Sequence, residues 1–310
     1  MAKRATRESY GEALMLCGEN ENVVVLDADL SKSTKTEVFK KKYPERFINM
    51  GIAEGNMMSV AAGLAACGKI PFASSFAMFA AGRAFEQIRN SIGYPHLNVK
   101  IGATHAGISV GEDGATHQCL EDIALMRSIP GMVIINPADD IEAMQAVHAA
   151  CNYDGPVYMR FGRLAVPDIN DENYKFELGK GVQLSDGGDA TIVATGLMVN
   201  AALEAKDMLK KDGINARVIN IHTIKPIDED IIIKAAKETG AIVTAEEHYI
   251  MGGLGSAVCE VVCKSCPVPV KIIGTDRFGA SGKPAELFEA YGLTAENIAK
   301  NVKEILNLKK

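Results

Sequence analysis

The chain has 310 residues, 47% hydrophobic and 23% charged, enough for two domains that each bury a core. A formal net charge of −6, with no Lys/Arg stripe interleaved with aromatics, argues against nucleic-acid binding. No run approaches the ~18 apolar residues of a membrane helix, the N-terminus has no apolar signal core, and the seven scattered cysteines suit reduced thiols, so a cytoplasmic protein is expected.

An amphipathic helix is predicted from Arg7 to about Asn20, with Ala13, Leu14, Leu16 and Cys17 along one side. Val23–Asp27 is a short continuous apolar run, the pattern of a strand buried on both faces. It empties into Ala28–Thr34, ADLSKST, a loop dense in acceptors and hydroxyls. A helix over Thr36–Lys42 and a strand over Arg46–Asn49 lead into Asn49–Met58, NMGIAEGNMM. There Glu54 stands between Gly51 and Gly55, at the head of a small-residue helix, Gly55–Cys67, that is apolar all round and is expected to be buried. A carboxylate so placed either enjoys the positive end of the helix or holds a proton on a ligand, because buried charge needs a partner.

Ile70–Ser75 reads as a strand, Phe79–Ser91 as a helix and Val99–Thr104 as a strand. Phe76 and Phe79 are ordinary core in one reading and flank a planar ring in another. The loop His105–Gln118 follows, too long for a mere connector. His105 and His117 bracket its glycine-hinged turn around Glu112 and Asp113. Two imidazoles titrating near neutrality beside carboxylates suit general acid–base catalysis; metal ligation is the competing reading, though the separation fits no compact zinc pattern. A helix (Leu120–Ser128), a strand (Met132–Asn136), a helix (Asp139–Cys151) and a strand (Val157–Phe161) complete the first unit. Strand–helix alternation implies a parallel, doubly wound sheet with ligands beyond the carboxyl ends of its strands. Arg7 and Arg163, at the two ends of this unit, carry planar forks suited to a phosphate, and Ser33 and His105 could add contacts.

Residues 164–180 lose apolar periodicity and read as a linker. Alternation then resumes, with strands at Gly181–Ser185, Ala190–Thr195, Ala216–Asn220, Ala241–Ala245 and Val270–Gly274. Helices are predicted at Val199–Asp212, Asp228–Thr239, Leu254–Lys264, Pro284–Tyr291 and Thr294–Leu306. The expected fold is therefore α/β with two doubly wound domains, residues 1–165 and a smaller mixed-sheet unit at 181–310, joined by a linker at 166–180. Gly252–Gly255, GGLG, opens a helix and could bind an anion, and Glu246, Glu247 and His248 before it read as a surface network. Cys263 and Cys266 form one CxxC without a second pair at zinc spacing, which favours a structural role. No GxxxxGK[ST] phosphate loop, GxSxG elbow or HExxH occurs, nor an acidic-and-Asn motif suited to anchoring a diphosphate through a divalent metal.

The motifs ATR (5–7), DADLSKS (27–33), NMGIAEGNM (49–57), THAGISVGEDGATHQ (104–118), GRLAVP (162–167) and AEEHYIMGGLGSAV (245–258) resemble transketolase, in the family's order and over almost the whole chain. The match covers that family's pyrimidine-binding and C-terminal domains, as in the C-terminal subunit of a split transketolase. The resemblance implies two-carbon ketol transfer between a ketose phosphate and an aldose phosphate. It implies thiamine diphosphate, with a divalent metal (Mg or Ca) held by an N-terminal partner subunit in an α2β2 assembly. Glu54 matches the glutamate that hydrogen-bonds the pyrimidine nitrogen and favours its imino tautomer; Phe76 and Phe79 match aromatics packed on that ring. Asp29 matches a residue near the cofactor at the subunit interface. Arg7, Ser33, His105 and Arg163 match the sugar-phosphate cluster, Asp113 the reader of a substrate hydroxyl, and His117 a histidine near the transferred carbonyl. A third aromatic of the family is replaced by small residues, and Ala81–Gly82 leave Arg83 unassigned. Related deoxyxylulose-phosphate synthases and 2-oxoacid dehydrogenase β subunits share the GIAE-type turn, and a non-catalytic partner subunit is the alternative of another class.

Overall fold

A computed structural model describes residues 3–309; residues 1, 2 and 310, the outer ends of the two expected domains, lie outside the described residues. In chain order the strands are β1 (Lys3–Ala5), β2 (Val23–Asp27), β3 (Phe47–Asn49), β4 (Ile70–Phe76), β5 (Lys100–Thr104), β6 (Val133–Ile135) and β7 (Val157–Arg160). They continue as β8 (Ala165–Pro167), β9 (Val182–Ser185), β10 (Ala190–Ala194), β11 (Ala216–Asn220), β12 (Thr223–Lys225), β13 (Ile242–Tyr249) and β14 (Val270–Thr275). The first sheet runs β12-β6-β7-β5-β4-β2-β3 and is parallel except for β12. The second runs β14-β13-β10-β11-β9, parallel except for β9. Both are covered by helices on their two faces, which is why β2, β5, β6, β7, β10 and β11 are buried at every residue.

This is the pair of mostly parallel α/β sheets expected from the strand–helix alternation, with several local departures. First, β12 follows β11 in sequence yet pairs with β6, Thr223 opposite Ile135 and Lys225 opposite Ile134. Lys225 Nζ then donates to Arg127 O at 2.8 Å and Ile129 O at 2.5 Å, so the second domain lends the first its edge strand. Second, the linker is strapped down. β8 pairs antiparallel with β1, and the buried Asp139 carboxylate accepts from Ile169 N (2.8 Å) and Asn170 N (2.7 Å) while also capping Asp140–Asn152 through Glu142 N. Third, the helix Glu54–Ala66 is only half covered. Met57, Met58, Ala61 and Ala62 pack inward, whereas Asn56, Ser59, Gly63 and Ala66 face outward.

The segment expected to be one helix over Phe79–Ser91 is instead two wide π turns, Met78–Arg83 and Ile88–Gly93, around a single α turn at Phe85–Gln87. A π turn accommodates one residue more per turn than an α-helix and recurs at functional sites. Here its last residue is Arg83.

Candidate functional site

The carboxyl ends of β7, β5, β4, β2 and β3 lie side by side in the first sheet, so the loops leaving them adjoin. Asn49 ties two of these loops together: its Oδ1 accepts from Gly51 N at 3.0 Å and its Nδ2 donates to Asp29 Oδ1 at 2.9 Å. Asp29 itself is exposed at the rim, with a left-handed φ of 64°. Among the described residues, Asp29, Lys35 and His105 are three of the four non-glycine positions with positive φ, and all three belong to this end of the sheet. Such conformations persist where the surroundings impose them.

Glu54 begins the helix Glu54–Ala66 and is 4% exposed. Its Oε1 accepts from Ser75 Oγ at 3.3 Å, and Arg83 Nη1 lies 3.4 Å from Oε2 and 3.5 Å from Oε1. The Arg83 guanidinium stacks over the Phe79 ring at 4.1 Å. Glu54 thus sits at a helix start, as one reading expected, and its buried carboxylate is held by two donors.

Phe76 and Phe79 stack with ring centroids 5.8 Å apart. Phe76 also stacks on His105 at 3.9 Å, and Phe79 meets the His117 ring edge-on at 5.3 Å. The two phenylalanines therefore connect the Glu54 corner to the histidines.

His105 and Arg7 meet across the next loop, with Arg7 Nη1 2.9 Å from His105 Nε2 and donating to Ser33 O at 3.2 Å. Guanidinium has donors only, so Nε2 must carry its lone pair here. The proton then sits on Nδ1, which donates to Thr104 Oγ1 at 2.9 Å. Burial first, then the positive charges of Arg7 and Arg163, push the His105 imidazole down to about 3. His105 therefore departs from the expectation of an imidazole titrating near neutrality: at neutral pH it is a fixed, uncharged acceptor for Arg7. Arg7 is pushed down in turn by burial and by Arg163, which places two like charges within electrostatic reach. Arg7 Nε is buried and finds no hydrogen-bond partner among the described residues, a donor suited to an anion.

The His105–Gln118 segment is far from a free loop. Ile108, Ser109, Val110 and Gln118 are buried, and only the tip, Glu112–Asp113 and Ala115–Thr116, is exposed. Gly111 (φ 85°, ψ −122°) kinks it in a conformation a side chain rarely adopts. Arg163 Nη1 donates to Val110 O at 2.7 Å and pairs with Asp113 Oδ2 at 3.4 Å. His117 is half-buried, its Nδ1 2.9 Å from Thr116 Oγ1. Arg83, Ser75, Thr104 and Lys35 are additions to the residues expected here. Ser75 and Thr104 are legible as hydroxyls at strand ends, whereas Arg83 lies on the π turn.

Glu246, Glu247 and His248 correct the reading of a surface network. β13 continues through them, and all three are buried. Glu246 accepts from Leu254 N at 2.6 Å and Gly255 N at 2.8 Å, so the GGLG helix start binds an anion of the chain's own. A Cβ at Gly253 would lie 2.0 Å from Glu246 Oε2, which leaves no room for an outside ligand.

The profile of the transketolase pyrimidine-binding domain matches residues 2–168, and that of the transketolase C-terminal domain matches residues 179–298. The chain belongs to the transketolase family. It is 53% identical over 306 residues to a Methanocaldococcus jannaschii protein provisionally named a transketolase C-terminal section, covering 97% of this chain and 96% of that one. It is 43% identical to a 6-deoxy-6-sulfo-D-fructose transketolase subunit of Clostridium sp. strain MSTE9, covering 98% of this chain and 95% of that one. A solved structure described as a split-gene transketolase, inactive β4 tetramer, superposes with a TM-score of 0.92 at 53% identity, each chain covered in full. Against human transketolase (38% identity) the match takes 98% of this chain but 49% of that protein.

Membership of the transketolase family implies dependence on thiamine diphosphate. The residues fit the pyrimidine end of that cofactor: a buried carboxylate with two supporting donors, beside two stacked phenyl rings, is the donor set a flat nitrogen heterocycle needs. Glu54 and Asp113 are already engaged by arginines, and no three metal-ligating side chains stand together among the described residues. No helix among them is long and apolar enough to cross a membrane.

Proposed function

We propose that this chain is the C-terminal subunit of a transketolase that moves a two-carbon ketol unit from a ketose phosphate to an aldose phosphate. The observation that carries the reading is the continuity of the site: the Glu54 carboxylate, Arg83, the Phe76–Phe79 pair and the His105–Arg7 pair meet in sequence at the carboxyl end of the first sheet. Thiamine diphosphate, when bound, supplies the carbon nucleophile of the transfer. Glu54 holds a proton at the pyrimidine nitrogen, Ser75 and Arg83 fix its carboxyl plane, and Phe76 and Phe79 keep water from the ring. Arg7 and Arg163 hold the sugar phosphate, with His105 acting through Arg7 and Ser33 lining the same end. Binding energy at that remote phosphate positions the reacting carbonyl. Asp113 reads a substrate hydroxyl, His117 stands beside the two phenyl rings as the proton carrier, and Asp29 lies at the rim that the second subunit covers.

The diphosphate and its divalent metal (Mg or Ca) fall to an N-terminal subunit in an α2β2 assembly. This division is supported by the full coverage of the subunit-type relatives and the half coverage of human transketolase. The test mixes the purified chain with such a subunit, thiamine diphosphate and magnesium, and follows consumption of xylulose 5-phosphate with an aldose phosphate acceptor. Transfer that needs both chains is expected. No transfer with both chains folded and cofactor bound, or consumption of pyruvate with release of carbon dioxide instead, would refute it. Relatives named for other sugars make the choice of ketose a matter for the same assay, run with phosphorylated and sulfonated donors side by side.

A further inference from the structure

The second domain touches the loop that carries Asp113 and His117 at several points, and one of them is a buried acidic side chain. Glu247, on β13, reaches into the first domain, where its Oε1 accepts from the backbone N–H of Ser109. The fit is tight enough to dictate a neighbour: a Cβ at Gly107 would lie 2.2 Å from the Glu247 carboxyl carbon and 2.4 Å from both of its oxygens. Arg160 completes the corner. Its Nη2 donates to Glu247 O at 2.8 Å and to Cys119 O at 3.3 Å, and its Nε donates to Asp122 Oδ2 at 2.9 Å. Cys119 O also accepts from Gly107 N at 2.9 Å, which closes the base of the loop. Further along, Gln118 Nε2 donates to Ala280 O at 2.9 Å, and Ser281 Oγ donates to Glu112 O at 2.7 Å. The loop that carries Asp113 and His117 is therefore held from beneath by the second domain, at its start, its tip and its end.

A connector would not need a charged group for this. A carboxylate with almost no exposure is costly unless compensated, and simple packing would have been served by an apolar side chain. Its carboxyl meets the loop at Ser109, upstream of both Asp113 and His117.

We infer that Glu247 is a positioning residue of the active site, through which the second domain sets the loop bearing Asp113 and His117. This rests on the function proposed above for those two residues; the clamp itself rests on geometry alone. The charged groups facing the Glu247 carboxyl are Arg160 on β7 and Asp122 on the helix Asp122–Arg127, and burial pushes it up to about 7 against the pull of Arg160 and the Ser109 N–H. A charged acceptor holds an N–H more strongly than a neutral one, so the clamp tightens as pH rises through that value.

The test uses the full chain with Glu247→Leu, which removes acceptor and charge, and Glu247→Gln, which keeps the acceptor. Amide hydrogen exchange across 106–118, corrected for intrinsic rates, is read in the chain alone at pH 6 and pH 8, with β10 and β11 as internal controls. Wild type should show greater loop protection at pH 8 than at pH 6. Glu247→Gln should show no such difference, and Glu247→Leu should exchange at least about tenfold faster at both. In the mixed enzyme, Glu247→Leu should raise KM for a phosphorylated ketose at least about tenfold more than for hydroxypyruvate, which lacks the distal hydroxyls and phosphate assigned above to Asp113 and Arg163. Loop exchange within about twofold of wild type in Glu247→Leu, or an equal loss on both donors, would overturn the inference. If Glu247→Leu unfolds β10 and β11, Glu247→Gln decides: a retained wild-type pH difference overturns it. Loop exchange as expected with no transfer by the wild-type mixture would refute the proposed function and leave the clamp standing.

Discussion

Replacing Glu54 by Gln separates catalysis from architecture at this site. The side chain is 4% exposed, and glutamine keeps its volume and the Oε1 that accepts from Ser75. What is lost is the ion pair to Arg83, a 3.4 Å contact whose arginine side chain is 53% exposed, so solvent screening holds its worth to about 1 kcal/mol or less. The fold should therefore survive, with a thermal midpoint within a few degrees of wild type. Catalysis should not survive intact. A positioned proton carrier contributes about 10²- to 10⁴-fold, which is about 3–5 kcal/mol of barrier, and an amide cannot exchange that proton. The assay is kcat for ketose phosphate consumption in the two-chain mixture at saturating thiamine diphosphate, with cofactor affinity measured by calorimetry. A kcat within about fivefold of wild type at equal cofactor occupancy would refute the role given to Glu54. An unchanged rate would also favour a non-catalytic subunit over a catalytic one.

Arg7→Lys removes the planar guanidinium, whose Nη1 donates to both His105 Nε2 and Ser33 O, and leaves a point charge. KM for a phosphorylated ketose should rise about 10- to 100-fold with kcat little changed, the worth of one or two charge-assisted hydrogen bonds; an equal effect on a donor lacking phosphate would refute the phosphate role. His105 is held at about 3, against an ordinary value of 6.5, so the unfolded chain binds its proton more readily. Its contribution to stability is full above about pH 6.5 and lost as pH falls towards 3, amounting to at most about 4–5 kcal/mol. Proton NMR should find no His105 titration between pH 5 and 8, and urea midpoints of His105→Asn should fall less than wild type from pH 7 to 4; a titration near 6.5 would overturn the assigned tautomer. Asp139→Ala removes a helix cap and the acceptor for two backbone N–H groups of the linker. It should cost about 2–4 kcal/mol and open residues 168–176 to protease before the rest of the chain, whereas unchanged cleavage would show that the linker is held otherwise.

The elements that could be read in the sequence were those whose local pattern and tertiary environment agree. Val23–Asp27 is apolar at nearly every position and is buried at every position. Glu54 announced itself because glycines and methionines surround a lone carboxylate. By contrast, β13 was expected to stop at Ala245 because three polar residues follow; the strand continues because Gly255 N, Ser109 N and Ala124 N supply their partners from distant segments. The state of His105 was equally hidden, since it is set first by burial and then by an arginine 98 positions away. Arg83 was unreadable for another reason: it lies on a π turn, and no periodicity argument anticipates one. β12 is three residues long and pairs with a strand almost ninety positions earlier, too short and too remote for any pattern to flag. The proposed phosphate cluster was assembled from motif resemblance, since Arg7 and Arg163 taken alone are two ordinary arginines.

The strand exchange at β12 bears on how such a chain can be cut or recombined. Severing it within 166–180 and separating the two halves would strip the first sheet of its outermost ladder and leave β6 with a bare row of peptide groups, the kind of edge that recruits a foreign strand. The same cut would leave Lys225 without the two carbonyls that hold its ammonium group. Grafting the second half from a relative would succeed only if the donor's Thr223–Lys225 counterpart matched the recipient's β6 in register. The two sequence domains are thus one mechanical part, and engineers should treat the whole chain as the smallest exchangeable module.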